Sequence, residues 1–240
     1  MQIYRIIVSD GRKEYFEQTM RSFFGFDATD HHGWMTPTVQ GTIISDDSQN
    51  PEFAEWLDTM FKGYPNLLIG HHPSKIGLCA SIDWAWKQVP PEVEFIQHLE
   101  EDFILEKAVD LEQLAYCLNH AHWLSQIWLM RGPWYKAEHE AGSIYNHRAP
   151  KFWEVRSINH WDTGWPMYWT QYNAGPFWTQ NPCLYSTRLI KHGYHAGPYC
   201  EEAMAHWAWD HGMKTAFWGR PDETPFTKHI GVISNKVALY

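Results

Sequence analysis

Short apolar runs alternate with amphipathic stretches through the first hundred residues, which predicts strands and helices alternating around a mainly parallel sheet. Ile3 to Val8 reads as the first strand, and Tyr15, Phe16, Met20 and Phe23 follow at helical spacing. Val39 to Ser45 predicts a second strand, closed by the polar Asp46-Asp47-Ser48. Asn50 before Pro51 marks a helix start, because the Asn side chain accepts first-turn amides and a proline there forfeits no bond. Ala54, Trp56, Leu57, Met60 and Phe61 supply the buried face, Gly63-Tyr64-Pro65 breaks the helix, and Asn66 to Ile69 is a third strand. A helix from Leu78 to Lys87 stops before Pro90-Pro91. The fourth strand, Phe95 to Leu99, runs into Glu100-Glu101-Asp102 before the chain turns apolar again at Phe103-Ile104-Leu105.

The later pattern is looser. Asp110 and Gln113 resemble a capping box ahead of Leu114, Ala115 and Leu118, and Ile127 to Met130 reads as a strand. Residues 131 to 180 show little regular periodicity. They are rich in Gly, Pro, Trp, His and Tyr, and a segment so aromatic is expected to pack as a site-forming lid. Pro182 to Tyr185 is a strand, a helix from Glu201 to His211 ends at Gly212, and Lys214 to Trp218 is a last strand before His229-Ile230-Gly231. With no internal repeat, the expected architecture is a single α/β domain over residues 1–240.

Net charge is −9 with no Lys/Arg-rich run, which excludes an electrostatic grip on nucleic acid or an anionic membrane. No stretch approaches the roughly 20 apolar residues of a membrane span, and Met1 leads directly into a strand, so the expectation is a soluble, cytoplasmic protein. The four cysteines, at 79, 117, 183 and 200, are too far apart for a CxxC zinc knuckle and are expected to be free thiols. Fifteen tryptophans are chiefly core material, with a few left to line a sugar site.

Core packing does not call for three consecutive carboxylates at the end of an inner strand. Acids are rarely buried unpaired, so the cluster calls for a divalent cation, and a cation held there can carry a phosphate. Ligands of open α/β sheets gather at the carboxyl ends of strands, where this chain places Ser9-Asp10, Asp46-Asp47, His71 and Glu100-Glu101-Asp102. Neither GxGxxG nor GxxxxGK[ST] occurs, which favours a metal-bridged diphosphate over a glycine-cradled one. Asp46-Asp47-Ser48 also fits an ordinary strand-to-helix turn. His31-His32, His71-His72 and His120/His122 lack HExxH spacing and are expected not to be ligands, and His98 reads as a satisfied core histidine.

In order along the chain, these features resemble an A-type (GT-A) glycosyltransferase, in particular the large inverting family. The parts are Arg12 after the first strand, Ile44-Ser45-Asp46-Asp47-Ser48 in place of DDGS, and Lys75-Ile76-Gly77-Leu78 like the family's GL segment. Glu100-Glu101-Asp102 falls at the metal-binding DxD, Asn181-Pro182-Cys183-Leu184 at the strand after the acceptor region, and Glu201-Glu202 at the acidic ED pair. No QxxRW-type segment of processive relatives occurs, so the resemblance implies single transfer.

By that resemblance, residues 1–105 form the nucleotide-sugar half and 106–240 the acceptor half. Ser9, Arg12, Asp46, Asp47, Lys75 and Gly77 would hold the donor, with Gly77 letting the backbone approach closely. Asp102, Glu100 and His229 would hold Mn2+ or Mg2+. Glu202 would take the acceptor's proton, with Glu201 orienting acceptor hydroxyls and raising its neighbour's pKa. Both acids also suit a helix start for purely electrostatic reasons. The implied activity moves one sugar from a nucleotide-diphosphate donor to a glycan or protein hydroxyl. A Trp-rich carbohydrate-binding protein and a metal-dependent nucleotide-sugar hydrolase are the alternatives.

Overall fold

The computed structural model describes residues 1–24, 39–160, 162–189 and 200–231. His31 and His32 lie outside the described residues. The sheet is built around β1 (Ile3–Ser9), parallel on one side to β2 (Val39–Asp46) and on the other to β4 (Phe95–Glu100), with β3 (Leu67–His71) parallel to β2. It continues through β9 (Cys183–Ser186), β6 (Leu124–Trp128), β10 (Lys214–Trp218), β8 (Pro166–Tyr172) and β7 (Trp153–Asn159). Only β9 and β8 oppose the common direction, which makes the nine-stranded sheet mainly parallel, as the alternating pattern predicted.

Helices α1 (Lys13–Phe24), α2 (Pro51–Met60) and α3 (Leu78–Lys87) follow β1, β2 and β3. Asn50 caps α2 by accepting from the amides of Glu52 and Phe53, so the local signal in the sequence works as expected. Ile7, Phe16, Met20, Ile44, Phe53, Leu57 and Leu99 close one face of the sheet, and Ile6, Ile82, Ile96, Trp128, Tyr185 and Phe217 form the core on the other. A buried Leu or Ile side chain is worth about 1.5–3 kcal/mol, so this core outweighs any surface ion pair in holding the strand ends in register. Further along lie α4 (Leu111–His120), α5 (Lys136–Ala141), α6 (Ile144–His147) and α7 (Cys200–Asp210).

Four expectations are corrected. Residues 131–180 are not largely irregular: they hold α5, α6 and the antiparallel β7–β8 hairpin that extends the sheet through β8's pairing with β10. Gln113 donates to the Asp110 side chain at 3.3 Å, not to its backbone, so α4 has an N-cap without a full capping box. Cys79 and Cys200 form a disulfide, leaving Cys117 and Cys183 as the buried free thiols. His98 is fully buried with neither ring nitrogen bonded among the described residues.

A second, two-stranded sheet positions the site. β5 (Phe103–Leu105) pairs antiparallel with β11 (Thr227–His229), setting His229 opposite Phe103. The Ile230 amide donates to the Asp102 carbonyl at 2.8 Å, so a residue 128 positions later in the chain is locked beside the acidic cluster.

Candidate active site

A cavity of about 290 Å³ opens where β1, β2 and β4 end. Ser9 reaches it from the last position of β1, Asp10 and Arg12 from the loop after it, Asp47 from the end of β2, Lys75, Gly77, Leu78 and Ser81 from the entry to α3, and Glu100, Glu101 and Asp102 from the end of β4. Trp134 and His229 close the far side. Ser9, Arg12, Asp47, Lys75, Gly77, Glu100, Asp102 and His229 were all expected from sequence, and one cavity gathers them.

Glu101 organises the floor, although sequence reasoning gave it no role. It is 1% exposed, accepts from Ser9 Oγ at 2.5 Å and from Arg12 Nε at 2.6 Å, and its carbonyl accepts from Thr19 Oγ1. Arg12 also reaches Asp102 Oδ2 at 2.9 Å. The guanidinium is therefore shared between two acids, which raises its pKa against the opposing effect of burial.

Asp47 holds the Lys75–Leu78 loop in place. Its two carboxylate oxygens accept from the Ile76 and Gly77 amides, each at 2.7 Å. Gly77 has φ +83°, a left-handed backbone conformation that favours glycine. Lys75 Nζ pairs with Asp10 at 2.6 Å. Asp46 stays out of the cavity: one oxygen accepts from the Ser48 amide and the other meets His71 Nδ1 at 2.8 Å, which serves the strand-to-helix turn. Ser81 Oγ, buried in the cavity wall, has no hydrogen-bond partner among the described residues.

His229 Nε2 lies 3.2 Å from Asp102 Oδ2, and Trp134 stacks on the imidazole. Burial opposes ionisation of Asp102, but the His229 hydrogen bond and the charges of His229 and Arg12 outweigh it and lower its pKa. Glu100 goes the other way. Burial, then the charges of Asp102 and Glu201, push its pKa well above the ordinary carboxylate range. Burial and crowded negative charge together mark a place short of positive charge. Among the described residues no group of three or more His, Cys, Asp or Glu side chains is already arranged around one point as a metal cage. The donor chemistry nevertheless fits a divalent ion: carboxylates plus one imidazole suit Mn2+, and oxygen donors suit Mg2+. Gly231 leaves the necessary room, since a Cβ there would collide with Asp102 Oδ2 and crowd His229.

Glu201 and Glu202 open α7. Glu201 is reached by solvent yet crowded by protein, and this enclosure raises its pKa despite hydrogen bonds from the Gln180 amide, at 2.5 Å, and from Thr179. Its charge is felt by Glu100 and Tyr135. Glu202 is exposed, lies roughly 100° further round the helix, and makes no side-chain bond among the described residues. Neither acid lines the cavity itself. A buried pair, Arg131 and Glu138 at 2.7 Å, supports the Trp134-Tyr135 turn, whose two amides donate to Glu138. The aromatic segment had signalled a lid, but its sequence carried no mark singling out these residues.

No known protein family and no curated protein matches the sequence. Solved structures match the fold. A mannosyltransferase from Pyrobaculum calidifontis in complex with GDP-Man and Mn2+ aligns with TM-score 0.65 at 10% identity over 97% of this chain and 58% of that one. GalNAc-T7 with UDP, GalNAc and Mn2+ aligns with TM-score 0.63 at 12% identity, covering 96% of this chain and 44% of the other. TarS of S. aureus, residues 1–349, aligns with TM-score 0.52 at 13% identity, covering 95% and 60%. The chain spans 44–60% of the length of these structures and shares with them the GT-A-type glycosyltransferase fold.

Proposed function

We propose that the protein is a metal-dependent glycosyltransferase that moves one sugar from a nucleotide-diphosphate donor to a glycan or protein hydroxyl, with inversion and without processive polymerisation. The observation that carries this reading is the charge of the cavity. Asp10, Asp47, Glu100, Glu101 and Asp102 line it against two fixed cations, Arg12 and Lys75. A diphosphate entering such a cavity would be repelled unless a divalent ion came with it.

Asp102 and His229 would hold the ion, with Glu100 completing the set. Bound there, the ion would offset the charge that develops on the departing nucleoside diphosphate. Arg12 and Lys75 are placed to bond phosphate oxygens, and Ser81 Oγ offers the donor a hydroxyl without a prior partner. Asp47 acts through the Ile76–Gly77 turn it fixes. The acceptor's proton goes to a carboxylate at the start of α7. Placement favours Glu201, which is electrostatically linked to Glu100, over Glu202, the base expected from sequence. A raised pKa makes Glu201 a stronger base than an ordinary carboxylate.

Thermal denaturation with UDP or GDP, each with and without Mn2+, tests the reading. At a concentration 100 times Kd a ligand adds about 2.7 kcal/mol, roughly 5–10 °C for a chain of this size. The expected rise needs nucleotide and metal together and disappears in Asp102→Ala. A rise without metal, or one that survives the substitution, overturns the assignment. Free sugar released from the donor without any acceptor would identify a hydrolase instead.

A further inference from the structure

The Cys79–Cys200 disulfide joins positions 121 residues apart, and each end borders a different part of the candidate site. Cys79 is the second residue of α3, directly after Leu78, which lines the donor cavity together with Gly77. Cys200 is the first residue of α7, directly before Glu201, and its amide donates to Cys79 Sγ at 3.3 Å. A continuous set of bonds therefore runs from Asp47 through the Ile76 and Gly77 amides to α3, across the disulfide, and into the acid-bearing turn of α7.

We propose that this disulfide is a positioning crosslink: it fixes the start of α7, and with it Glu201, relative to the donor-side loop Lys75–Leu78. The first turn of a helix has amides without partners one turn back and frays readily. A covalent tie at its first residue suppresses that motion where a proton must be taken from an acceptor. The donor loop keeps its own anchor in Asp47, so losing the crosslink loosens Glu201 more than it disturbs nucleotide binding.

The bond forms when the two thiols give two electrons and two protons to a small-molecule disulfide, which is reduced to two thiols, and a dithiol reverses the exchange. Cys117 and Cys183 take no part. Both are buried, and burial pushes the Cys117 thiol up to about 12 and raises that of Cys183, so neither supplies a reactive thiolate.

The catalytic half of the proposal rests on the transferase reading, whereas the positional half does not, and the test separates them. Alkylation of the unfolded chain without reductant should label two thiols, and after treatment with a phosphine reductant all four. Amide exchange is then followed in oxidised protein, reduced protein and a Cys79→Ser/Cys200→Ser variant. Residues 76–81 and 200–205 should exchange roughly tenfold faster in the latter two while β1 and β4 stay unchanged. In turnover, kcat should fall about tenfold with KM for the nucleotide sugar within about threefold, and reductant should have no effect on the double variant. Rescue by re-oxidation of the wild type completes the pattern. Four labelled thiols without reductant, or exchange indifferent to reduction, overturns the crosslink. Turnover indifferent to reduction overturns its role in positioning Glu201. Exchange that responds in a protein that transfers no sugar keeps the crosslink and removes the transferase reading.

Discussion

Trp134 lies against His229 with ring centroids 3.8 Å apart and planes 27° from parallel, while the same imidazole presents Nε2 to Asp102 Oδ2 at 3.2 Å. The indole holds one face of the ring and Phe103 meets it edge-on from another side at 4.9 Å, so rotation of the imidazole is restricted. The turn that carries Trp134 is in turn fixed by Glu138, which accepts from the amides of Trp134 and Tyr135.

Groups that orient a metal-binding imidazole commonly alter affinity by 10- to 100-fold when removed, so Trp134→Ala is expected to weaken Mn2+ binding by about tenfold. Trp134→Phe keeps a flat face and should lose less. Calorimetric titration of Mn2+ into each variant measures this, and equal affinity in all three proteins would show that His229 is held without Trp134 or binds no metal.

Glu101 is expected to matter more for stability than for metal binding, despite sitting between the two predicted ligands. Glu101→Gln keeps one accepting oxygen but turns the other into a donor, so either Ser9 Oγ or Arg12 Nε loses its charged acceptor, although Arg12 still reaches Asp102. A hydrogen bond to a charged group is worth about 1.5–3 kcal/mol, and Arg12 is partly solvated, so Glu101→Gln should cost roughly 2–3 kcal/mol. Urea denaturation reads the cost directly. A loss below about 0.5 kcal/mol, typical of a surface change, would mean that the cluster relaxes freely.

The two acids of α7 are expected to separate in kinetics. A general base contributes about 10²–10⁴-fold, so Glu201→Gln should lower kcat by about that factor with little change in KM for the donor, whereas Glu202→Gln should stay within a few-fold of wild type. Steady-state transfer assays on both variants decide between them, and the reverse ranking would return the role to the acid first expected from the sequence.

What could be read ahead of the structure was local. Asn50-Pro51, the Gly63-Tyr64-Pro65 break and the apolar runs of β1, β2 and β4 each carry their instruction within a few residues, so the first half of the sheet was legible. Glu100-Glu101-Asp102 was legible as a cluster, but which acid faces inward depends on the turn between β4 and β5, and so Glu101 was overlooked. The β7–β8 hairpin was missed because aromatic residues occupy both faces of β8 and β7 is mostly polar, which hides the two-residue period. The Cys79–Cys200 bond and the pairing that sets His229 beside Asp102 join segments more than a hundred residues apart, and nothing local encodes such contacts.

His98 sits in the middle of β4, with Ile6 of β1 on one side and Cys183 of β9 on the other, and it lacks a hydrogen-bond partner for either ring nitrogen among the described residues. Burial alone lowers its pKa to about 3, against an ordinary value near 6.5. Between those two values the unfolded chain binds a proton that the folded protein refuses, so stability falls as pH drops from about 6.5 toward 3, at up to about 1.4 kcal/mol per pH unit. Glu100 acts in the opposite sense, since its raised pKa makes the folded state take up a proton on acidification. The wild-type slope is therefore the difference of the two, and substitution isolates the histidine. His98→Leu should match or exceed wild-type stability at pH 7, because an unpartnered buried polar group costs about 1–3 kcal/mol. Its lead should then widen steadily as pH falls from 6.5 to 4.5. Urea midpoints at half-unit pH steps measure the gap, and a constant gap across that window would mean that His98 finds a proton partner in solution.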